Sequence, residues 1–309
     1  MRLALPAALA LVLAATPAMA DAPKVVASIK PVHSLVAAVM QGVGEPALIV
    51  RGAASPHTYA LKPSDAKALA DADLVFWIGP ELEGFLAKPL QATASKATAI
   101  ELLEAKGVTL LDAREGGAWE AHHHGDGHDH SHHEHGHEEV NTHIWLDPGN
   151  ARAMVAAIAD ALAARDAVHA AAYKANAERT AQSIDALDAE LKAALAPVAD
   201  KPFVVFHDAY QYFEAHYGLN GVGAITVSPE RRPSAKRLSD IRARITALGA
   251  ACVFAEPQFE PALVDTIVDG TKAKKGVLDP EGAALADGPD LYPTLMRSIA
   301  ASLKGCLAS

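Results

Sequence analysis

Histidine is the residue type through which this sequence could do chemistry. The chain of 309 residues has 15 histidines. His57, His143 and His207 each stand where the chain leaves a predicted strand or approaches a predicted helix, and Asp279 occupies an equivalent place after residues 277–278. Side chains at the ends of strands are the usual ligand contacts in open α/β sheets. These four residues are therefore the first candidates for a binding site.

A second group of histidines has a different character. Residues 113–139 are rich in glycine, carboxylates and histidine and almost lack apolar side chains. Such a segment cannot bury enough surface to offset its ordering entropy, which predicts a mobile loop. Its imidazoles are expected to bind metal weakly in interchangeable arrangements, the alternative being a solvated segment with incidental metal affinity. The nine residues are His122, His123, His124, His128, His130, His132, His133, His135 and His137.

The elements that must position the candidates alternate between strand and helix. Short apolar runs at 203–206, 221–227, 252–255 and 276–278 predict strands, and the segments 209–217, 233–248, 261–271 and 292–303 predict helices. The N-terminal part repeats the pattern, with predicted strands at 25–29, 47–50 and 74–78 and helices beginning near Pro31 and Pro63. Alternation of this kind predicts parallel sheets flanked by helices.

The predicted organisation is two similar α/β lobes joined by one long helix. Residues 150–165 form one predicted helix, and residues 167–196 then lack glycine and proline until Pro197. We place the N-terminal lobe at 21–166, including the histidine-rich loop, the linking helix at 167–196 and the C-terminal lobe at 197–309. Thirty helical residues would extend ~45 Å, enough to act as a rigid strut.

The N-terminus has the order of a secretory signal peptide. Arg2 is followed by an apolar run over residues 3–15, and Ala18-Met19-Ala20 forms an A-x-A cleavage site. This predicts removal of residues 1–20 and a soluble protein in the bacterial periplasm. The formal net charge of −10 argues against nucleic acid as a partner. We expect a monomer.

Two cysteines, Cys252 and Cys306, complete the sequence inventory. An even number of cysteines in an oxidising compartment favours a disulfide, here between the start of a strand and the last helix. The alternative, in which the thiolates bind metal, would need a C-x-x-C pair or nearby histidines, and the sequence has neither.

Several motifs in order resemble one family. The segments PHTY at 56–59, NTHIWLDP at 141–148, FHDAYQYF at 206–213 and FAEPQ at 254–258 resemble the metal-binding solute receptors of ABC importers over essentially the whole chain after residue 20. Within that family the ZnuA-type zinc receptors are most similar, including their histidine-rich loop and C-lobe disulfide. The resemblance implies a metal held between the lobes by His57 and His143 from one side and His207 and Asp279 from the other. It also implies a membrane permease as partner.

The donor set favours zinc. Three imidazoles and one oxygen make a tetrahedral set that suits Zn²⁺, whereas manganese members of the family carry a carboxylate where His207 stands. Some zinc relatives place a glutamate immediately before the first histidine, where this chain has Pro56. Asp279 or a water is therefore the expected fourth ligand. Because three imidazoles must be neutral to bind, affinity is expected to fall as the pH drops through ~6.5.

The remaining histidines and the aromatic residues beside the motifs are not expected to bind the metal. His33 is expected to have a structural role at a helix start, and His169 and His216 are expected to be solvated. The aromatic residues beside the motifs are expected to form a packed shell that orients the ligating imidazoles. They are Trp145, Phe206, Tyr210 and Tyr212.

The sequence predicts a zinc-capturing protein that is not an enzyme. A zinc hydrolase or lyase would use a metal-bound water, but no H-E-x-x-H motif or evident general base is present. A zinc store or chaperone is another alternative, marked by full function without the cleft histidines. A metal-binding adhesin of similar fold is a further one.

Overall fold

The computed structural model describes residues 21–93, 96–114, 140–226, 234–260 and 262–308. The predicted signal peptide at 1–20 and all nine histidines of the predicted loop lie outside these ranges. Among the described residues, no helix is both long enough and apolar enough to cross a membrane.

The N-terminal lobe is a four-stranded parallel sheet with the strand order β2-β1-β3-β4. Its strands are β1 Val25–Ala27, β2 Ala47–Leu48, β3 Leu74–Trp77 and β4 Thr98–Glu101, and its helices are α1 Lys30–Val39, α2 Pro63–Asp71 and α3 Gly84–Thr93. The sequence predicted the first three strands. It missed β4, a partly exposed edge strand without an apolar run, and α3, which contains Pro89.

Two consecutive helices follow, α4 Pro148–Arg165 and α5 Ala170–Leu195. The linking helix predicted at 167–196 thus begins at Ala170, because Asp166 accepts hydrogen bonds from the backbone N–H and Nδ1 of His169 and holds a turn between the helices. At 26 residues, α5 extends ~39 Å. It packs on α1 and α4 of the first lobe and on the C-terminal helix, so it spans both lobes.

The C-terminal lobe is a second four-stranded parallel sheet, with the order β6-β5-β7-β8. Its strands are β5 Phe203–His207, β6 Gly221–Thr226, β7 Cys252–Ala255 and β8 Lys274–Val277, and its helices are α6 Gln211–Tyr217, α7 Ala235–Leu248, α8 Ala262–Val268 and α9 Leu291–Leu307. Two parallel sheets flanked by helices, with one long helix between them, confirm the predicted fold class.

One apolar core runs through both lobes. It includes the N-terminal sheet, α4 and α5, and it continues over one face of the C-terminal sheet to α9. On β5, Phe203 and Val205 face this shared core, while Val204 and Phe206 face a separate cluster under α7 and α8. Since side chains alternate along a strand, His207 continues the face of Phe203 and Val205. The strand pattern therefore turns His207 toward the other lobe.

Hydrogen bonds fasten the start of α1 to the C-terminal lobe. The buried Lys30 ammonium donates to the carbonyls of Ala283 and Leu285 at 3.4 and 2.7 Å. Ser34 Oγ donates to the Pro289 carbonyl and accepts from the Tyr292 amide. The loop that follows β8 is thereby held against the N-terminal lobe.

His216 joins three elements and, like His169 beside Asp166, is not solvated as the sequence suggested. From α6, its Nδ1 lies 3.0 Å from Asp147 Oδ2 at the start of α4, and its Nε2 lies 2.8 Å from Asp188 Oδ1 on α5. The hydrogen bond to Asp147 is the largest cause that raises the pKa of His216, and the bond to Asp188 adds to it against the opposing effect of burial. The histidine was misjudged because helical spacing does not reveal carboxylates from other elements.

The raised pKa of His216 predicts a pH-dependent contribution to stability. A pKa that is higher in the folded than in the unfolded state gives stability that is fully present below pH ~6.5 and is lost as the pH rises through the folded pKa. We expect His216→Gln to lower the free energy of unfolding by ~2 kcal/mol at pH 6, from the loss of charged hydrogen bonds, and by less at pH 9. Urea unfolding at both pH values measures this. An equal loss at the two pH values would contradict the ionic role.

The predicted disulfide is present between Cys252, the first residue of β7, and Cys306 near the end of α9. No free cysteine remains in the chain. The metal-thiolate alternative is therefore excluded, and the last helix is tied to the central part of the second sheet.

Removal of this disulfide should destabilise the protein. The closed loop spans 54 residues, for which chain entropy predicts a loss of at most ~4 kcal/mol on the double change Cys252→Ala/Cys306→Ala. Urea unfolding of the variant and of the oxidised parent gives the difference. A difference near zero would mean that the unfolded chain gains no freedom from the removal.

Candidate metal centre

Three of the four predicted ligands converge on one point between the lobes. His57, His143 and His207 each offer a ring nitrogen, and these atoms all lie within 4.8 Å of one another. His57 comes from a turn after β2, His143 from the residue before a short 3₁₀ turn at Ile144–Leu146, and His207 from the end of β5. Two lobes thus contribute to a single cluster of imidazoles.

A buried carboxylate sets the orientation of His207. Its Nδ1 lies 2.7 Å from Glu256 Oε2, and its backbone N–H donates to Oε1 of the same carboxylate. Because a carboxylate accepts, Nδ1 carries a proton, and Nε2, which holds the lone pair in the neutral ring, faces His143. Glu256 follows β7, the neighbour of β5 in the sheet.

Asn141 does the same for His143. Its Nδ2 donates to the carbonyl of Asp208 at 2.8 Å, which defines the orientation of the amide. Its Oδ1 then accepts from the backbone N–H of His143 and lies 2.9 Å from the ring Nδ1. The proton of His143 is therefore on Nδ1, and the Nε2 lone pair faces the cluster.

The two Nε2 atoms of His143 and His207 lie 3.2 Å apart. In the neutral rings that carry their protons on Nδ1, two lone pairs face each other across this distance, an arrangement that a cation between them would stabilise. Zn–N bonds of ~2.0–2.1 Å at a tetrahedral angle place two ligating nitrogens ~3.3 Å apart. The observed spacing fits a pair of tetrahedral zinc ligands.

Burial keeps the imidazoles of His57 and His143 neutral. It lowers the pKa of His57 to about 3, with a further contribution from His207, and it lowers the pKa of His143 well below the usual value. Neutral rings have the free lone pair that a metal needs. Protons therefore compete with a metal at His57 and His143 only at lower pH than the value of ~6.5 expected from the sequence.

The site is small and is flanked by aromatic residues. It is a cavity of about 10 Å³, room for a single ion or water. Trp145 packs beside His143 with ring centroids 5.2 Å apart, and Phe259 packs beside His207 at 6.0 Å while stacking on Phe206. The residues predicted as a packed shell are buried as expected, namely Trp145, Phe206, Tyr210 and Tyr212.

Asp279 lies apart from this group. Its two carboxylate oxygens accept from the backbone amides of Glu281, Gly282 and Ala283, and one of them also accepts from Gln258 Nε2. These bonds give the aspartate the role of a turn-forming residue after β8. Its assignment as the oxygen ligand remains a prediction.

Glu281 lines the cavity with the histidines, although the sequence did not single it out. Burial, followed by the charges of Asp279, Glu83 and Glu256, raises the pKa of Glu281 well above the usual value. Its position two residues after Asp279, in a loop without regular structure, left no periodic signal. Glu256 and Asn141 were likewise noted only as parts of motifs, since hydrogen bonds behind a ligand leave no spacing pattern.

The chain matches a known protein family over most of its length. Residues 25–306 match the family described as zinc-uptake complex component A, periplasmic. The chain belongs to this family. The resemblance noted in the sequence is thereby confirmed, and the match covers both lobes and all four predicted ligands.

Relatives of this family are similar along nearly their whole length. The high-affinity zinc uptake system protein ZnuA of Brucella abortus (strain 2308) is 53% identical over 304 residues, 92% of this chain and 91% of that protein. The ZnuA of Paracoccus denitrificans is 39% identical, covering 98% of this chain and 97% of that protein. A crystal structure of ZnuA superposes with a TM-score of 0.74 at 25% identity, covering 92% of this chain and 100% of that chain.

The hydrogen bond behind His207 yields a test of the site. Replacing Glu256 by Gln keeps the side-chain shape but removes the charge that makes the imidazole a stronger ligand. We expect Zn²⁺ affinity to fall by roughly 10- to 100-fold, the usual effect of losing a partner behind a metal ligand. Competition with a chelator measures the Kd.

The matched control is Glu260→Gln, an exposed carboxylate four residues further along the same loop. It should leave the Kd unchanged. Equal affinities for Glu256→Gln and the parent protein would show that the ring orientation does not depend on the carboxylate.

Proposed function

We propose that this protein captures Zn²⁺ in the periplasm and delivers it to the membrane permease of an ABC importer. The observation that carries the proposal is the 3.2 Å separation of the Nε2 atoms of His143 and His207, which come from different lobes. Both imidazoles are held with their lone pairs toward the same point. Membership of the periplasmic zinc-uptake family supports the same role.

The proposed ligand set is His57, His143, His207 and one oxygen. Glu281 is the oxygen donor best placed by its position on the cavity wall, and Asp279 or a water is the alternative. Zinc is the cargo of this site, in keeping with membership of a zinc-uptake family. In this proposal the chain consists of an N-terminal lobe at 21–166, a linking segment at 167–196 and a C-terminal lobe at 197–309.

Family membership and the sequence favour a binding protein over a hydrolase or lyase. The chain belongs to a zinc-uptake family, and its sequence has no H-E-x-x-H motif. A metal-bound water could still meet a small gas molecule, so carbon dioxide hydration and ester hydrolysis are the assays that would reveal turnover. We expect neither activity.

Two segments outside the zinc site contribute to export and to zinc collection. Residues 1–20 act as a cleaved signal peptide that directs the chain to the periplasm. The histidine-rich segment between residues 113 and 139 gathers zinc ions near the cleft. The protein works as a monomer. It has no nucleic-acid partner, in keeping with the net charge of −10.

Two variants separate capture at the cleft from storage on the histidine-rich segment. Deletion of residues 116–138 should leave one tight zinc site and remove the additional weak binding from a calorimetric titration. His207→Ala introduced into this shortened chain should abolish the tight site, because only two of three imidazoles remain. His169→Ala is the matched control, since His169 lies at the start of α5 and outside the cluster.

Growth of the source organism in zinc-depleted medium tests delivery. His207→Ala with the histidine-rich segment intact should fail to support growth, whereas the deletion variant should support it. Full growth with His207→Ala would indicate a zinc store or chaperone. Loss of the tight site on deletion of residues 116–138 alone would refute the ligand assignment.

A further inference from the structure

An arginine of the N-terminal lobe reaches across to two carboxylates of the C-terminal lobe. Arg114 lies between β4 and α4, beside the antiparallel bridge of Asp112 and Val140. Its Nε donates to both oxygens of Asp208 at 3.1 and 3.0 Å, its Nη2 also donates to Asp208, and its Nη1 lies 2.5 Å from Glu214 Oε2. One guanidinium thus holds a residue next to β5 and a residue of α6.

This cluster is buried. The side chain of Asp208 is 7% exposed, that of Glu214 is 5% exposed and that of Arg114 is 20% exposed. Two carboxylates so close together repel each other unless a cation lies between them. A planar guanidinium meets both with fixed geometry, which makes the contact directional as well as charged.

The contact is connected to both metal-site histidines. Asp208 is the residue after His207, and its carbonyl accepts from Asn141 Nδ2 at 2.8 Å. Asn141 in turn orients His143. The peptide of Asp208 therefore stands between a ligand of one lobe and the residue that orients a ligand of the other.

The segment around Arg114 is fixed to α6 at further points. The Leu111 amide donates to the Tyr212 hydroxyl at 3.0 Å, and that hydroxyl donates to the Asn141 carbonyl at 2.8 Å. Gln211 Nε2 donates to the carbonyl of Asp112 at 2.9 Å. Arg114 thus adds an ion pair to a set of hydrogen bonds that fixes the position of this segment on the C-terminal lobe.

We infer that Arg114 is a positioning residue of the zinc site, which holds Asp208 so that the Nε2 atoms of His143 and His207 stay at the spacing of two zinc ligands. This inference rests on the proposed function. Arg114 does not touch the ion. Loss of the guanidinium allows the Asp208 peptide to shift, which moves His207 directly and His143 through Asn141.

A positioning role predicts a specific pattern of zinc affinities. Arg114→Met removes the charge and the fork but keeps an unbranched chain, and Asp208→Asn keeps the peptide and the shape but removes the ion pair. Each should raise the Kd for Zn²⁺ about tenfold, the lower end for partners behind a metal ligand. Because both changes break the same contact, the double variant should lose no more than the weaker-binding single variant.

The measurements use the full chain after export, in competition with a chelator strong enough to strip the weak sites. Thermal unfolding identifies the variants that remain folded at the assay temperature. If Arg114→Met does not fold, the zinc affinity of Asp208→Asn tests the inference. The visible spectrum of protein loaded with one equivalent of Co²⁺ reports tetrahedral geometry. We expect the strong tetrahedral bands to weaken in both single variants.

The matched control is Arg297→Met, which removes the exposed hydrogen bonds of the guanidinium to Glu190 on α5. Neither residue lines the metal-site cavity. The control variant should change neither the Kd nor the Co²⁺ spectrum. A lower melting temperature with an unchanged Kd in Arg114→Met and Asp208→Asn would overturn the inference, as would additive losses in the double variant. Absence of tight binding in the parent protein would instead refute the proposed function.

Discussion

The site depends on two imidazole lone pairs that face each other across the junction of the lobes. In neutral rings that carry their protons on Nδ1, such an arrangement is unfavourable without a cation. Glu256 fixes the ring of His207 and Asn141 fixes the ring of His143, because each accepts a hydrogen bond from Nδ1–H. The protein thus holds ligands in a geometry that an ion completes, so little reorganisation is needed when zinc binds.

The lobes around this site are joined more firmly than two separate domains. They share one apolar core, and Lys30, Ser34 and His216 add buried or partly buried polar contacts between them. A large rotation of one lobe against the other would break these hydrogen bonds and expose part of that core. Small local movements near the cavity cost less, which is the expected behaviour of a molecule with a long helix through both halves.

The second sheet explains how a strand can deliver a ligand to another lobe. Alternation along β5 places Phe203 and Val205 in the shared core and Val204 and Phe206 in the separate cluster. His207 ends the strand on the side of the shared core. The same alternation that builds the hydrophobic core therefore directs the imidazole, and the disulfide at Cys252 ties the adjacent strand to α9.

The sequence by itself determined the parallel α/β class, most of the strands, the cysteine pair and the three histidines, because apolar runs, turn residues and motif order are local. It missed β4, which lacks an apolar run, and α3, which contains a proline. It also misjudged His169 and His216, which bond to carboxylates and are not solvated. Only the tertiary structure decided which atoms share a cavity: Glu281 lines it, while the carboxylate of Asp279 is held by backbone amides. Hydrogen-bond partners such as Glu256, Asn141 and Arg114 come from distant parts of the chain, and spacing along a sequence carries no record of contacts made across the fold.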